Sequence, residues 1–123
     1  MTRMKNIRVN FKGKKFNIKA KELFLLEQFI GLMFKSRNCD ILLFNRGGRW
    51  EIHSFFVFFP FLALWLDKNN RVLEYKIITP FSLYAGPKKE FAKLVEIPIN
   101  KKNKSILKHF KVRVRMIDAE QIE

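Results

Sequence analysis

Ile7-Arg8-Val9-Asn10-Phe11-Lys12 alternates apolar and polar side chains, the period of a half-buried strand. Gly13-Lys14-Lys15 reads as a turn and Phe16-Asn17-Ile18-Lys19 resumes the alternation, so the chain opens with a predicted hairpin carrying one basic face. The period then changes. Leu23, Leu26, Phe29 and Ile30 recur at helical spacing, opposite Lys21, Glu22, Glu27 and Gln28. They predict a helix around 20–30, ended by Gly31 in a left-handed conformation. Asp40–Phe44 predicts a strand, and Asn45-Arg46-Gly47-Gly48-Arg49 a turn.

From Phe55 to Leu66 no residue carries a group for acid–base, metal or nucleophilic chemistry. The run falls short of the roughly 18 apolar residues of a membrane helix, contains Pro60, and stops at the turn signal Asp67-Lys68-Asn69-Asn70. It predicts two strands, Trp50–Phe59 and Phe61–Leu66, buried on both faces and meeting at a kink or bulge at Pro60. Phe58 and Trp65 are expected inside. Arg71–Ile78 follows as a strand, Thr79–Pro87 as a loop, and Lys93–Ile97 as a strand closed by Pro98. Lys104–Phe110 predicts a short helix with Asn103 as its N-cap, and Lys111–Met116 a last strand with a basic face. Many short strands with one or two short helices predict a mainly β fold, a sandwich or barrel.

Length changes little in this picture, since 123 residues fit a single domain spanning 1–123. A hydrophobic content of 48% supports a real core and argues against disorder. The lone Cys39 excludes an internal disulfide, and Met1–Arg8 lacks an apolar signal segment, so a cytoplasmic location is expected.

Charge changes more. The net charge is +14, with eight Lys or Arg and no acid in residues 1–21, and seven more without an acid in residues 101–115. Such blocks attract nucleic acid, anionic lipid or an acidic protein. Arg8, Lys12, Lys14 and Lys19 are expected to line one face of the first hairpin, and Lys111, Arg113 and Arg115 one face of the last strand. Termini often lie close in compact domains; if these two strands are neighbours, the rows merge into one surface for DNA or RNA. The same excess of Lys with Phe, Ile and Asn also follows from AT-rich codons alone, with no polyanion as ligand.

No catalytic constellation accompanies the charge. Cys39, His53 and His109 are too few, and too irregularly spaced, for a zinc site. Ser36, Ser54 and Ser82 lack a nucleophile elbow, and Asp40 beside Cys39 raises its thiol pKa. Glu51, Asp67, Glu74 and Glu96 fall on separate strands and are expected as solvated surface charge. Gly47-Gly48 between Arg46 and Arg49 could offer amides to a phosphate, but a turn explains the glycines equally well. The Tyr84–Lys89 loop, with its exposed aromatic and basic residues, has the composition of a binding loop.

Three stretches carry a resemblance: Gly31-Leu32-Met33-Phe34-Lys35, the Pro60-centred apolar block ending in Leu66-Asp67, and Phe91-Ala92-Lys93-Leu94-Val95-Glu96-Ile97-Pro98. In this order, over about residues 18–115, the chain resembles the conserved family known as domain of unknown function 192. The resemblance implies a compact, mainly β domain of sandwich or jelly-roll type with no agreed activity. Many members carry a Lys-Asn-Thr-like trio before the proline and an Asp after it, where this chain has Phe55, Phe56, Val57 and Leu62. Many also have Trp where this chain has His53. These readings favour a non-catalytic binding or accessory module without cofactor or metal. Nucleic-acid binding through a basic face is one alternative. Sugar binding or enzyme activity, resting on fold analogy and on Trp50, Tyr75 or Tyr84, is the other.

Overall fold

The computed structural model describes residues 3–23, 28, 31–33, 35–48, 50, 52–53, 56–84 and 89–114. The expected opening hairpin is present as β1 (Arg3–Phe11) and β2 (Lys14–Glu22), paired antiparallel. Its turn is Lys12-Gly13, both at positive φ (51° and 80°), as the tight turns of twisted hairpins require. β3 (Leu42–Phe44) lies parallel to β2. β4 (Ile52–His53) is a two-residue strand, followed by β5 (Phe61–Leu66) and β6 (Val72–Ile78) as a second hairpin. β7 (Leu83–Tyr84) pairs with β4 in a small separate sheet. β8 (Lys93–Pro98) runs between β3 and β5. The main sheet thus has six strands of mixed direction in the order β1-β2-β3-β8-β5-β6.

This sheet curls. Its two edge strands meet at one end, where the Asn10 N–H donates to the Asn70 carbonyl at 2.9 Å and Asn10 bridges Arg71. The result is a half-barrel in a mainly β chain. Alternate residues of the central strands feed two cores. Inside the curl lie Ile7, Val9, Ile18, Ala20, Leu43, Leu62, Leu64, Val95 and Ile97. Outside, Leu42, Phe44, Phe61, Ala63, Trp65 and Leu94 are covered by Leu23, Leu32, Val57 and Phe59 from the connecting segments. Two-sided covering explains why β5 is buried along its whole length.

The open mouth of the half-barrel is closed by residues 101–114. A 3-10 turn (Lys101–Asn103) runs into α1 (Lys104–Lys108), which places Leu107 in the inner core. Asn103 stands at the expected N-cap position of α1, but its side chain makes no capping bond there; the side-chain cap belongs to the 3-10 turn, where Asn100 accepts the Asn103 N–H at 2.9 Å. The expected strand Lys111–Met116 is absent among the described residues. Lys111 turns left-handed (φ 58°), its N–H reaches the Lys108 carbonyl, and the Val112 N–H reaches the Leu107 carbonyl. That is a Schellman ending, and it directs Val112 and Val114 into the inner core instead of along a sheet edge. Arg115 lies outside the described residues.

Two further expectations change. Residues 20–22 of the expected helix belong to β2, and most of its remainder lies outside the described residues; Gly31 has the expected positive φ (52°). Trp50–Phe59 is not one strand. Phe56 adopts a left-handed φ of 62°, which breaks the pleat after β4, so Val57 and Phe59 point inward while Phe56 and Phe58 point out. Phe58 is therefore exposed, against expectation, whereas Trp65 is fully buried. No helix among the described residues is long and apolar enough to cross a membrane.

Candidate anion-binding site

The outer core covers only the central strands, so the outer face of the β1–β2 hairpin is left to water. Strand alternation puts Asn6, Arg8 and Asn10 of β1 on this face. Opposite them stand Lys19, Asn17 and Lys15 of β2. Arg8 is thus diagonal to both Lys15 and Lys19, at the spacing of about 7–8 Å typical of such neighbours.

The β5–β6 turn brings a further cation. Asp67 accepts the N–H groups of Asn69 (2.8 Å) and Arg71 (2.9 Å) through Oδ1, and binds Arg71 Nε through Oδ2 at 2.9 Å. Burial works against the charged form of Asp67. The hydrogen bonds from Arg71 and Asn69, with the Arg71 charge, outweigh it and hold the carboxyl below its ordinary value of 3.8. The clamp fixes Arg71 through Nε and leaves its terminal nitrogens without a hydrogen-bond partner among the described residues. Because the sheet edges meet at Asn10 and Arg71, this guanidinium joins the hairpin row.

Arg8, Asn10, Lys15, Asn69 and Arg71 line a shallow depression of about 340 Å³. Three cations and two carboxamides around one hollow suit an oxyanion such as a phosphate, with Arg and Lys supplying charge and the amides N–H donors. Asp67 is the only carboxylate in contact with any of the three cations among the described residues.

Of the residues anticipated for a basic surface, Arg8 lies in the depression and Lys19 one step along the same face. Lys12 sits at the turn, its Nζ 5.2 Å from the centre of the Phe11 ring. Lys14 pairs with Phe11 and therefore takes the inward-facing register. Lys111 and Arg113 are exposed on the segment that closes the inner side, so the two basic rows do not merge. Lys15, Asn10, Asn69 and Arg71 were not anticipated. Lys15 alternates with Asn17 and Lys19, a signal hidden by placing the turn over residues 13–15 rather than 12–13. Nothing in the sequence brings Arg71 to β1.

The other candidates resolve into structure. The Gly48 N–H bonds the Phe91 carbonyl at 2.8 Å, so it is not offered to a phosphate, and a Cβ on Gly47 would meet that same oxygen at 3.3 Å. Trp50 packs between Phe44 and Phe91 on the outer side, whereas Tyr75 meets Phe11 and Phe110 on the inner side. They do not form one sugar platform; the side chains of Tyr84 and His53, with most of the 85–89 loop, lie outside the described residues. Burial pushes the Cys39 thiol up to about 11, with Asp40 adding to the rise against Lys35 and Lys102, which leaves a weak nucleophile. His109 stacks on Phe16 at 4.0 Å. No group of three His, Cys, Asp or Glu suited to a metal ion is present among the described residues.

Glu96 departs furthest from its expected surface role. It is 5% exposed on β8, between Leu42 and Ala63 of the neighbouring strands. Its Oε1 lies 3.6 Å from where a Cβ on Gly31 would stand. No hydrogen bond or ion pair reaches its carboxylate among the described residues, and burial pushes its pKa up to about 8.

No family model matches this chain, and no curated protein matches it. The chain is similar in fold to a protein of unknown function from Novosphingobium aromaticivorans. The TM-score is 0.63, covering 83% of this chain and 77% of that one, at 16% sequence identity. At that identity, the likeness shows a shared fold and nothing more.

Proposed function

We propose that this protein is a non-catalytic binding module that holds nucleic acid by its phosphate backbone on the outer face of the β1–β2 hairpin. One observation carries the reading: Arg8, Lys15 and Arg71 converge on a single depression, and Lys19 continues the row. Among the described residues the face presents Asn6, Asn10 and Asn17 between its cations and no aromatic ring, so it contacts phosphates and does not read bases. Its sequence preference is therefore weak. Kinship with the domain of unknown function 192 is part of the same proposal, supported by the order of its three motifs along the sequence. They fall on the segment carrying Gly31, on β5, and on β8. That kinship names no ligand.

Fluorescent single- and double-stranded oligonucleotides titrated at about 50 and 200 mM salt test the proposal. Four phosphate contacts predict a loss of about 150-fold for duplex and about 50-fold for single strands between these conditions. Arg8→Glu with Lys15→Glu should abolish binding, while Lys111→Glu with Arg113→Glu should leave it largely intact. Absence of binding at the lower salt, or the opposite ranking of the two variants, refutes the assignment.

A further inference from the structure

At the end of the sheet away from Arg71, four segments converge. Phe61 pairs with Ile78, which sets residues 56–60 beside residues 79–81. The Ile99 N–H donates to the Pro60 carbonyl at 3.2 Å. Asn100 Nδ2 donates to the Arg37 carbonyl at 2.7 Å, and Lys102 Nζ to the Asn38 carbonyl at 3.0 Å. Three phenylalanines stand out from this pole: Phe56, Phe58 and Phe81 are 48%, 59% and 52% exposed.

Their display is built into the backbone. Phe56 and Phe81 hold φ of 62° and 57°, a left-handed conformation disfavoured for any residue with a Cβ. Val57 and Phe59, which alternate with the exposed pair, are locked in the outer core. The rings at 56 and 58 therefore face water because their neighbours face inward. Phe58 meets Phe81 edge to face, with centroids 5.5 Å apart and planes at 71°. Around them, residues 35–40 and 99–104 supply Lys35, Arg37, Lys101, Lys102 and Lys104 against the single acid Asp40.

We infer that this pole is a second docking surface, separate from the hairpin face, and that its partner is an anionic lipid bilayer. The phenyl rings enter the boundary of the acyl region, and the surrounding lysines and arginine meet the headgroups. Charge complementarity selects an anionic surface. Ring geometry selects lipid over bases, since rings crossed at 71° offer no parallel faces for successive bases to stack on.

Flotation with phosphatidylcholine vesicles, with and without about 30% phosphatidylserine, tests this at about 150 mM salt, near physiological screening. The full chain should bind the anionic vesicles. Phe58→Ser with Phe81→Ser should weaken that binding roughly thirtyfold, from two half-exposed rings no longer buried. Both sites are exposed, and circular dichroism of the variant is the check on its folding. Arg8→Glu with Lys15→Glu should keep the dependence on the two rings, which separates this surface from the hairpin face. Equal binding by the phenylalanine variant and the parent, or no binding by the parent, overturns the inference. So does loss of single-strand oligonucleotide binding, or of self-association, on substituting the two rings while vesicle binding persists.

Discussion

Replacing Glu96 with Gln should stabilise the protein in neutral and basic solution. The carboxyl lies in the packed sheet with no partner among the described residues, and its pKa rises from the ordinary 4.5 to about 8. The folded state therefore holds a proton that the unfolded chain releases between these two values. Stability contributed by the protonated form is complete below about pH 4.5 and is lost as pH rises toward 8. The full loss corresponds to about 5 kcal/mol at 1.36 kcal/mol per pH unit. Relaxation and water entry reduce this, and about 2–4 kcal/mol is the expected difference. Gln keeps the shape and carries no charge. Urea denaturation of parent and Glu96→Gln from pH 4 to 9 isolates the effect, because the general charge repulsion of a +14 chain is nearly common to both. The two should be close at pH 4.5 and diverge steadily to pH 8, with the variant more stable. Parallel profiles, or a variant equally destabilised at every pH, would show that Glu96 is hydrated or paired in the folded protein.

Three smaller changes test the packing. Trp65 is 0% exposed in the outer core, so Trp65→Ala should cost about 3–5 kcal/mol, read as a lower denaturation midpoint with unchanged slope. Gly31→Val puts a β-branched residue at φ 52° with its Cβ 3.4 Å from the Phe44 ring; thermal melts should show a loss of at least about 1–2 kcal/mol. Lys111→Gly relieves a left-handed lysine at the Schellman position and should raise stability by about 0.5–1 kcal/mol in urea unfolding.

Both hairpins were legible in the chain. Strict alternation over Ile7–Phe11 and Phe16–Lys19, and the break at Asp67–Asn70, are local signals, and each hairpin is closed by contacts between near neighbours. The strand Lys93–Pro98 and the short helix after it were readable for the same reason. The alternation of Lys111–Met116 misled. Val112 and Val114 face a core and Lys111 and Arg113 face water, as in a strand, but the helix ending decides the path of the backbone. The unbroken run before Pro60 misled similarly, because hydrophobicity alone does not mark a left-handed turn at Phe56.

The sequence by itself determined a mainly β chain, its basic character, and Arg8 and Lys19 as cations on an outer face. Only the tertiary structure decided that Lys111 and Arg113 lie on the opposite side, that Glu96 is buried, and that Arg71 completes the depression. The reason is physical. Alternation sets which way a side chain points relative to its own strand, a property of a few consecutive residues. Which strands become neighbours depends on how the whole sheet curls to cover two cores, and the meeting of Asn10 with Arg71 is a product of that curl.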